Sequence, residues 1–270
     1  MSKNKSSTIE KVFEDLRKNN RKAFIPFITC GFPTTDDFFK LFETLDKNGA
    51  DIIEIGIPFS DPLADGPVIQ ATSKIALENG VNTDFVFKSI AKIRKRSDTP
   101  IAIMTYFNTI YHYGLEKFLK NAESAGVNGL IIPDLPLEEF ICYENYFDKV
   151  SINNIMLASL TSGKDRLKDI AEKSRGFIYC ISVKGVTGVR NSINSEVIGF
   201  LKNLRKVTSL PLALGFGLSS RDQIGHIKDY CDGIIIGSKI LSFILETDNF
   251  SQGLKSVENF TKDINNFLKS

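Results

Sequence analysis

Three carboxylates lie close together in the chain, at the end of an apolar run that extends from Ile52 to Ile57. Glu54 interrupts that run, and Asp61 and Asp65 follow in a loop. The run is typical of a buried parallel strand, where an ionised carboxylate costs several kcal/mol unless it is paired or solvated. Glu54 is therefore either a structural residue bonded to an arginine or to backbone, or an acid kept free for proton transfer.

The loop after this run favours the second interpretation. Residues 58–67 contain three prolines, which cannot continue a central strand. A carboxylate near the C-terminal end of a strand, with others on the next loop, is typical of a barrel active site. His112 and His226 are the only histidines, which argues against a histidine-based metal site. Catalysis near neutral pH would then depend on carboxylate, tyrosine or lysine side chains.

Two glycine-containing turns late in the chain are candidate phosphate sites. Gly215-Phe216-Gly217 and Gly237-Ser238 each follow an apolar segment. Glycine lets backbone N–H groups approach an anion, Ser238 adds a hydroxyl, and a helix N-terminus favours negative charge. The alternative is that both are simple tight turns. The segment Gly185–Gly188 could add backbone donors or act as a mobile lid.

Apolar side chains near the predicted strand ends are candidates for lining a cavity, although each one alone could equally belong to the core. Together with a phosphate site and an isolated acid, they predict a flat aromatic ligand with a phosphorylated tail. These residues are Phe27, Met104, Ile131, Tyr179 and Phe216.

These candidates require a scaffold of alternating strands and helices. We predict eight strands, at 24–29, 51–57, 100–106, 129–132, 155–158, 177–181, 211–214 and 233–236. The pattern predicts an α/β fold of the (βα)8 TIM-barrel type, forming a single domain over residues 1–270. Extra helices are expected before the first strand, after the second and after the eighth. An open doubly wound sheet is the alternative, but no dinucleotide fingerprint follows the first strand. Residues 183–194 are predicted to form a loop.

Composition narrows the class of protein. The 270 residues carry 34 basic and 32 acidic side chains, a net charge of +2 that gives no case for nucleic-acid or anionic-membrane binding. Four cysteines lie far apart in sequence and are expected to be reduced thiols. Because no signal peptide or membrane span is evident, we expect a cytoplasmic protein, or a stromal one if it is plastid-encoded.

The stretch Glu54–Pro67, read as Glu-Ile-Gly-Ile-Pro-Phe-Ser-Asp-Pro-Leu-Ala-Asp-Gly-Pro, resembles the signature of the tryptophan synthase alpha chain family. Further motifs occur in the family's order along nearly the whole chain. They are Phe24–Thr29, Pro133-Asp-Leu-Pro136, Gly185-Val-Thr-Gly188, Gly215-Phe-Gly217 and Gly237-Ser238.

The resemblance implies an activity and roles for residues. It implies cleavage of indole-3-glycerol phosphate to indole and glyceraldehyde 3-phosphate. Glu54 matches the acid–base residue, Asp65 the carboxylate that accepts the indole N–H bond, and Thr187 a loop residue that helps to order Asp65. The phosphate-binding positions are matched by Gly188, Gly217, Gly237 and Ser238.

The resemblance also implies a partner. No cofactor is expected in this subunit, and a beta chain carrying pyridoxal phosphate is expected to complete an α2β2 heterotetramer. Leu63, at the tip of the proline-rich loop, is either part of a docking surface for that partner or packs inward. Other readings remain open: a stand-alone indole-releasing lyase, a non-catalytic regulatory subunit, and a phosphosugar isomerase or flavin-binding barrel.

Overall fold

The computed structural model describes residues 8–181, 190–215 and 217–269, without the side chains of residues 8 and 190–194. The strands are β1 (Ala23–Thr29), β2 (Ile53–Gly56), β3 (Ile101–Met104), β4 (Gly129–Ile131), β5 (Asn153–Ile155), β6 (Leu157–Ser159), β7 (Ile178–Ile181), β8 (Leu212–Gly215) and β9 (Gly233–Ile236). The helices are α1 (Thr8–Lys18), α2 (Thr35–Lys47), α3 (Pro67–Glu78), α4 (Thr83–Ile93), α5 (Phe107–Tyr113), α6 (Leu115–Ala125), α7 (Leu137–Phe147), α8 (Lys164–Lys173), α9 (Arg190–Arg205), α10 (Arg221–Gly225), α11 (Ser238–Leu245) and α12 (Phe250–Lys269). A 3₁₀ turn spans Lys228–Tyr230.

All the strand pairs are parallel, and their order is β5-β4-β3-β2-β1-β9-β8-β7-β6. Because β1 pairs with β9 on one side and with β2 on the other, the sheet curls into a barrel rather than an open doubly wound sheet. The predicted (βα)8 barrel is thus confirmed, with its extra helices before β1, after β2 and after the last strand.

The predicted fifth strand is split in two at Met156. β5 pairs with β4, and β6 pairs with β7. Between them, the Met156 N–H donates to the Ser174 hydroxyl at 3.2 Å, while its carbonyl accepts from the Tyr179 N–H at 3.0 Å. The chain therefore changes its pairing partner at this residue, which leaves a seam between the two ends of the sheet.

The N-terminal helix closes the bottom of the barrel. Ile9, Phe13 and Leu16 are buried against inward-facing residues from the N-terminal ends of the strands. The Phe13 ring lies 5.7 Å from that of Phe177, centroid to centroid. Since one end of the interior is filled in this way, the cavity can open only at the C-terminal ends of the strands, where active sites of this fold lie.

One helix was not predicted, and one predicted loop is partly wrong. α5 was not predicted, because its first N–H group, that of Phe107, is capped by the Asp134 carboxylate at 2.8 Å from a loop far along the chain. The predicted loop 183–194 is wrong from Arg190 onward, where α9 begins. Its first turns are rich in Asn and Ser and lack apolar periodicity, so the pattern became visible only near Val197.

Among the helices described above, none combines the length and apolar character needed to cross a membrane. All four cysteines are free thiols, as expected, and three of them are buried.

Candidate active site

Glu54 projects into the barrel from the middle of β2. Its register neighbours are Phe27 on β1 and Ala102 on β3. The residue is completely buried, and neither carboxylate oxygen has a hydrogen-bond partner among the described residues. Burial, and secondarily the charge of Asp65, raises the pKa of Glu54 to about 8. The carboxyl group is therefore protonated near neutral pH and able to donate that proton.

Asp65 reaches the same space from the β2–α3 loop (residues 57–66). Its pKa is raised to about 6 by burial, an effect opposed by a hydrogen bond from the Tyr106 side chain. Asp65 is thus mostly ionised at pH 7 while Glu54 is mostly neutral. A pair of carboxyl groups held in opposite protonation states by their surroundings is a common arrangement for acid–base catalysis.

The β2–α3 loop is fastened to the barrel at three points. The Ala64 N–H donates to the Tyr106 hydroxyl at 3.0 Å. The Phe59 and Tyr106 rings stack with their centroids 5.1 Å apart. The Gln70 side chain, on the first turn of α3, donates to the Asp65 carbonyl at 2.9 Å. These contacts fix the backbone on both sides of the Asp65 side chain.

Tyr106 and Gln70 were not among the residues predicted from sequence. Tyr106 was assigned only to the end of the third strand, and Gln70 only to the start of a helix. A signal was available, because Tyr106 ends the predicted third strand, and a hydroxyl at the C-terminal end of a strand beside the second one would face the same side of the barrel.

The predicted apolar lining is partly assembled around the acids. Ile131 and Tyr179 are buried in the interior cluster, with Met104 packed against it. The pKa of Tyr179 is raised by burial and then by the charges of Glu54 and Asp65, so both acids lie within electrostatic range of its hydroxyl group. Phe27 is also buried, and its ring lies over Gly56, where an added Cβ would stand only 2.6 Å from the ring's Cζ.

Three of the four predicted phosphate residues, Gly217, Gly237 and Ser238, lie at the ends of neighbouring strands. β8 and β9 pair directly, so the turns carrying Gly217 and Gly237 are adjacent. Gly217 has a φ of +74°, a conformation that favours glycine. Ser238 is the exposed first residue of α11, whose first turn contains no acidic side chain. A Cβ at Gly237 would stand 3.1 Å from Phe27, so this turn packs against the Phe27 side chain.

Three predicted site residues, Thr187, Gly188 and Phe216, lie outside the described residues, as does the candidate lid Gly185–Gly188. Within the described ranges, no group of three or more His, Cys, Asp and Glu side chains comes together as a potential metal site.

Comparisons with known proteins agree with this geometry. A family model described as tryptophan synthase alpha chain matches residues 13–269. The chain is 43% identical over 260 residues to the tryptophan synthase alpha chain of Thermoanaerobacter sp. (strain X514), covering 96% of this chain and 99% of that protein. It is 42% identical over 266 residues to that of Clostridium beijerinckii, covering 97% and 99%.

Solved structures give the same result. Tryptophan synthase subunit alpha from Legionella pneumophila superposes with a TM-score of 0.89 at 30% identity, covering 97% of this chain and 98% of that one. A chain in a structure of Mycobacterium tuberculosis tryptophan synthase superposes with a TM-score of 0.88 at 32% identity, covering 98% and 100%.

Proposed function

The chain belongs to the tryptophan synthase alpha chain family, and we propose that Glu54 and Asp65 carry out the lyase reaction of that family in this protein. The family reaction is the retro-aldol cleavage of indole-3-glycerol phosphate to indole and glyceraldehyde 3-phosphate in tryptophan biosynthesis. The observation that carries the assignment of residues is the buried Glu54 carboxyl group, which has no hydrogen-bond partner among the described residues and shares its compartment with Asp65.

Glu54 is proposed to donate one proton and then to accept another. In its neutral form it protonates indole C3, which leaves a C=N bond in the ring. The resulting carboxylate then takes the proton of the hydroxyl group on the adjacent side-chain carbon. As that oxygen forms a carbonyl, the bond to C3 breaks and its electron pair restores the indole ring. Glu54 is reprotonated by the hydroxyl proton, and the proton it donated stays on C3 of indole, so atoms and electrons balance without a redox cofactor.

Asp65 is proposed to accept a hydrogen bond from the indole N–H and to stabilise the positive charge that the ring carries after C3 is protonated. This role requires the ionised carboxylate, which is the form expected near pH 7 from its pKa of about 6. Following the family resemblance, Thr187 is proposed to help order Asp65 when its loop closes over the substrate.

The turns after β8 and β9 are proposed to hold the phosphate of the substrate. Gly217 and Gly237 would present backbone N–H groups there, Ser238 would add its hydroxyl, and the N-terminus of α11 favours the negative charge. Following the family resemblance, Gly188, in the segment between β7 and α9, would add a further backbone N–H group. The aromatic end of the substrate would then lie against Phe27, Met104, Ile131, Tyr179 and Phe216.

We further propose that this subunit needs no cofactor and works with a pyridoxal-phosphate beta chain in an α2β2 assembly. A chain in a structure of M. tuberculosis tryptophan synthase has this fold, which supports a beta-chain partner. The exposed tip of the β2–α3 loop offers a contact surface, since Leu63 is 94% exposed. A partner seated there would influence Asp65 through the same loop.

Indole release by the purified protein from indole-3-glycerol phosphate tests the assignment. Glu54→Gln and Asp65→Asn should each lose most turnover, since a general acid–base group contributes about 10²–10⁴-fold. Glu258→Gln, at a half-buried glutamate paired with Lys255 and Lys262 on α12, is the matched control. Near-normal turnover of Glu54→Gln would remove Glu54 from the mechanism.

The partner proposal has a separate test. Turnover of wild type and of Asp61→Ala is measured with and without beta chain, together with complex formation by sedimentation. We expect activation of wild type and weaker activation of the variant. Full activation of a variant that still binds would exclude Asp61 from the coupling, and no activation of wild type would favour a stand-alone lyase.

A further inference from the structure

Tyr106 contacts the loop that carries Asp65, but the mechanism proposed above gives this residue no role. We propose that Tyr106 is a positioning residue for the lyase reaction: its hydroxyl holds the Asp65 carboxylate and the backbone of Ala64 in the orientation that catalysis needs. This inference rests on the proposed function of Asp65. On this proposal Tyr106, which lies outside the β2–α3 loop, fixes the orientation of Asp65, which lies within it.

The first argument is that one hydroxyl group serves both contacts. The Tyr106 oxygen accepts the Ala64 N–H at 3.0 Å. The same hydroxyl group lies close enough to the Asp65 carboxylate to lower the pKa of that group by hydrogen bonding. A phenol has a single proton, and the backbone N–H can only be donated to it. The accepted bond therefore occupies the oxygen as an acceptor, and its own proton is left for the neighbouring carboxylate.

The second argument is that Tyr106 is itself rigidly held. The residue is 7% exposed and forms the junction between β3 and α5. On one side, the Thr105 N–H donates to the Ile131 carbonyl at 3.1 Å. On the other, the Phe107 N–H donates to Asp134 at 2.8 Å. A side chain anchored by the barrel can fix a group on a loop, whereas a side chain on the loop would move with it.

The third argument separates Tyr106 from the other contacts of the loop. The Gln70 amide holds main-chain oxygens, those of Asp65 at 2.9 Å and Pro62 at 3.4 Å. The Phe59 ring stacks on the Tyr106 ring and does not need its hydroxyl. Removing the hydroxyl should therefore leave the path of the loop in place and release only the Asp65 carboxylate and the Ala64 N–H.

The test is Tyr106→Phe, which keeps the ring and its stacking. We expect kcat/KM for indole-3-glycerol phosphate to fall by about 10- to 100-fold, because a hydrogen bond to a charged group is lost. The lost donor also raises the pKa of Asp65, so the acid limb of the kcat/KM–pH profile should move to higher pH by about one pH unit. A purely structural role would lower activity equally at all pH values.

Tyr113→Phe is the matched control. The Tyr113 hydroxyl donates to Asp84 at 2.5 Å, so this variant also loses a tyrosine–aspartate hydrogen bond, but away from the barrel interior. It should keep both the rate and the pH profile of the wild type. Gln70→Met separates placement of the loop from the hydroxyl bond. It should lower turnover without moving the acid limb.

The outcomes distinguish this inference from the proposed function. If Asp65→Asn is inactive and Tyr106→Phe has the profile of wild type, Tyr106 is not a positioning residue and the lyase assignment stands. If Asp65→Asn is fully active, the role of Asp65 fails and that of Tyr106 fails with it. If Gln70→Met moves the acid limb as far as Tyr106→Phe does, displacement of the loop rather than the hydroxyl sets Asp65, which also overturns the inference.

Discussion

Replacing Glu54 by glutamine should make the protein more stable while it removes most of the turnover. Glu54 is completely buried, and its pKa is raised from 4.5 to about 8, chiefly by burial. Glutamine has nearly the same shape and never ionises. A pKa displaced over this range corresponds to about 5 kcal/mol of folding free energy once the carboxyl group is ionised, at 1.36 kcal/mol per pH unit.

The pH window follows from the sign of the displacement. Because the folded-state pKa of Glu54 exceeds its unfolded value, the folded protein binds more protons between pH 4.5 and about 8. The stabilising effect of protonation is complete below pH 4.5, declines by about 1.4 kcal/mol per pH unit as the pH rises, and is lost above pH 8. The advantage of Glu54→Gln should therefore be near zero at pH 4.5, about 3 kcal/mol at pH 7 and about 5 kcal/mol above pH 8.

Urea unfolding followed by circular dichroism at pH 5, 7 and 8.5 measures this difference, with indole release assayed on the same samples. Glu258→Gln serves as the control, because Glu258 is paired with exposed lysines and its pKa is lowered rather than raised. That control should show no gain in stability that grows with pH. A Glu54→Gln difference that is constant from pH 5 to 8.5 would refute the reasoning, because it would mean that Glu54 is not desolvated in the folded protein.

Four further outcomes are expected. The kcat/KM–pH profile should be bell-shaped, with limbs near pH 6 and 8, because Asp65 must be ionised and Glu54 protonated; a flat profile across this range would contradict the assignment of both acids. Gly237→Val should raise KM strongly and weaken indole binding less, since its side chain blocks the phosphate turn and only presses on Phe27; equal weakening would indicate general damage. Gly56→Ala, whose Cβ would stand 2.6 Å from the Phe27 Cζ, should weaken indole binding and leave inhibition by inorganic phosphate unchanged. Leu63→Ser should leave thermal stability unchanged, since that side chain is 94% exposed, and should reduce activation by beta chain; undiminished activation would exclude Leu63 from the interface.

The features predicted from sequence are those with a local physical cause. Each strand from Phe24–Thr29 to Gly233–Ile236 is a short apolar run bounded by turn residues, and such runs identify buried parallel strands without knowledge of their partners. Glu54 stood out because an ionised carboxylate in a buried apolar strand is costly unless it is paired, solvated or needed for function. The glycines after the last two strands stood out because they follow strand ends in a repeated pattern.

The features that were missed depend on residues distant in sequence. The cap of α5 comes from Asp134, and the break at Met156 comes from a change of pairing partner and from Ser174. The hydroxyl group that lowers the pKa of Asp65 comes from Tyr106, which lies 41 positions away in the sequence. No local pattern contains these contacts, because each is created only when the barrel closes.

The barrel explains why Glu54 and Asp65 differ in protonation state at the same pH. Glu54 projects from a strand into a space where its oxygens find no donor among the described residues, so burial favours its neutral form. Asp65 enters from a loop that receives a hydrogen bond from Tyr106, and that bond favours its ionised form. The negative charge of Asp65 then disfavours a second charge on Glu54. The protonation pattern that the reaction needs therefore follows from where the two acids are attached, one to a strand of the barrel and the other to a loop held by the next strand.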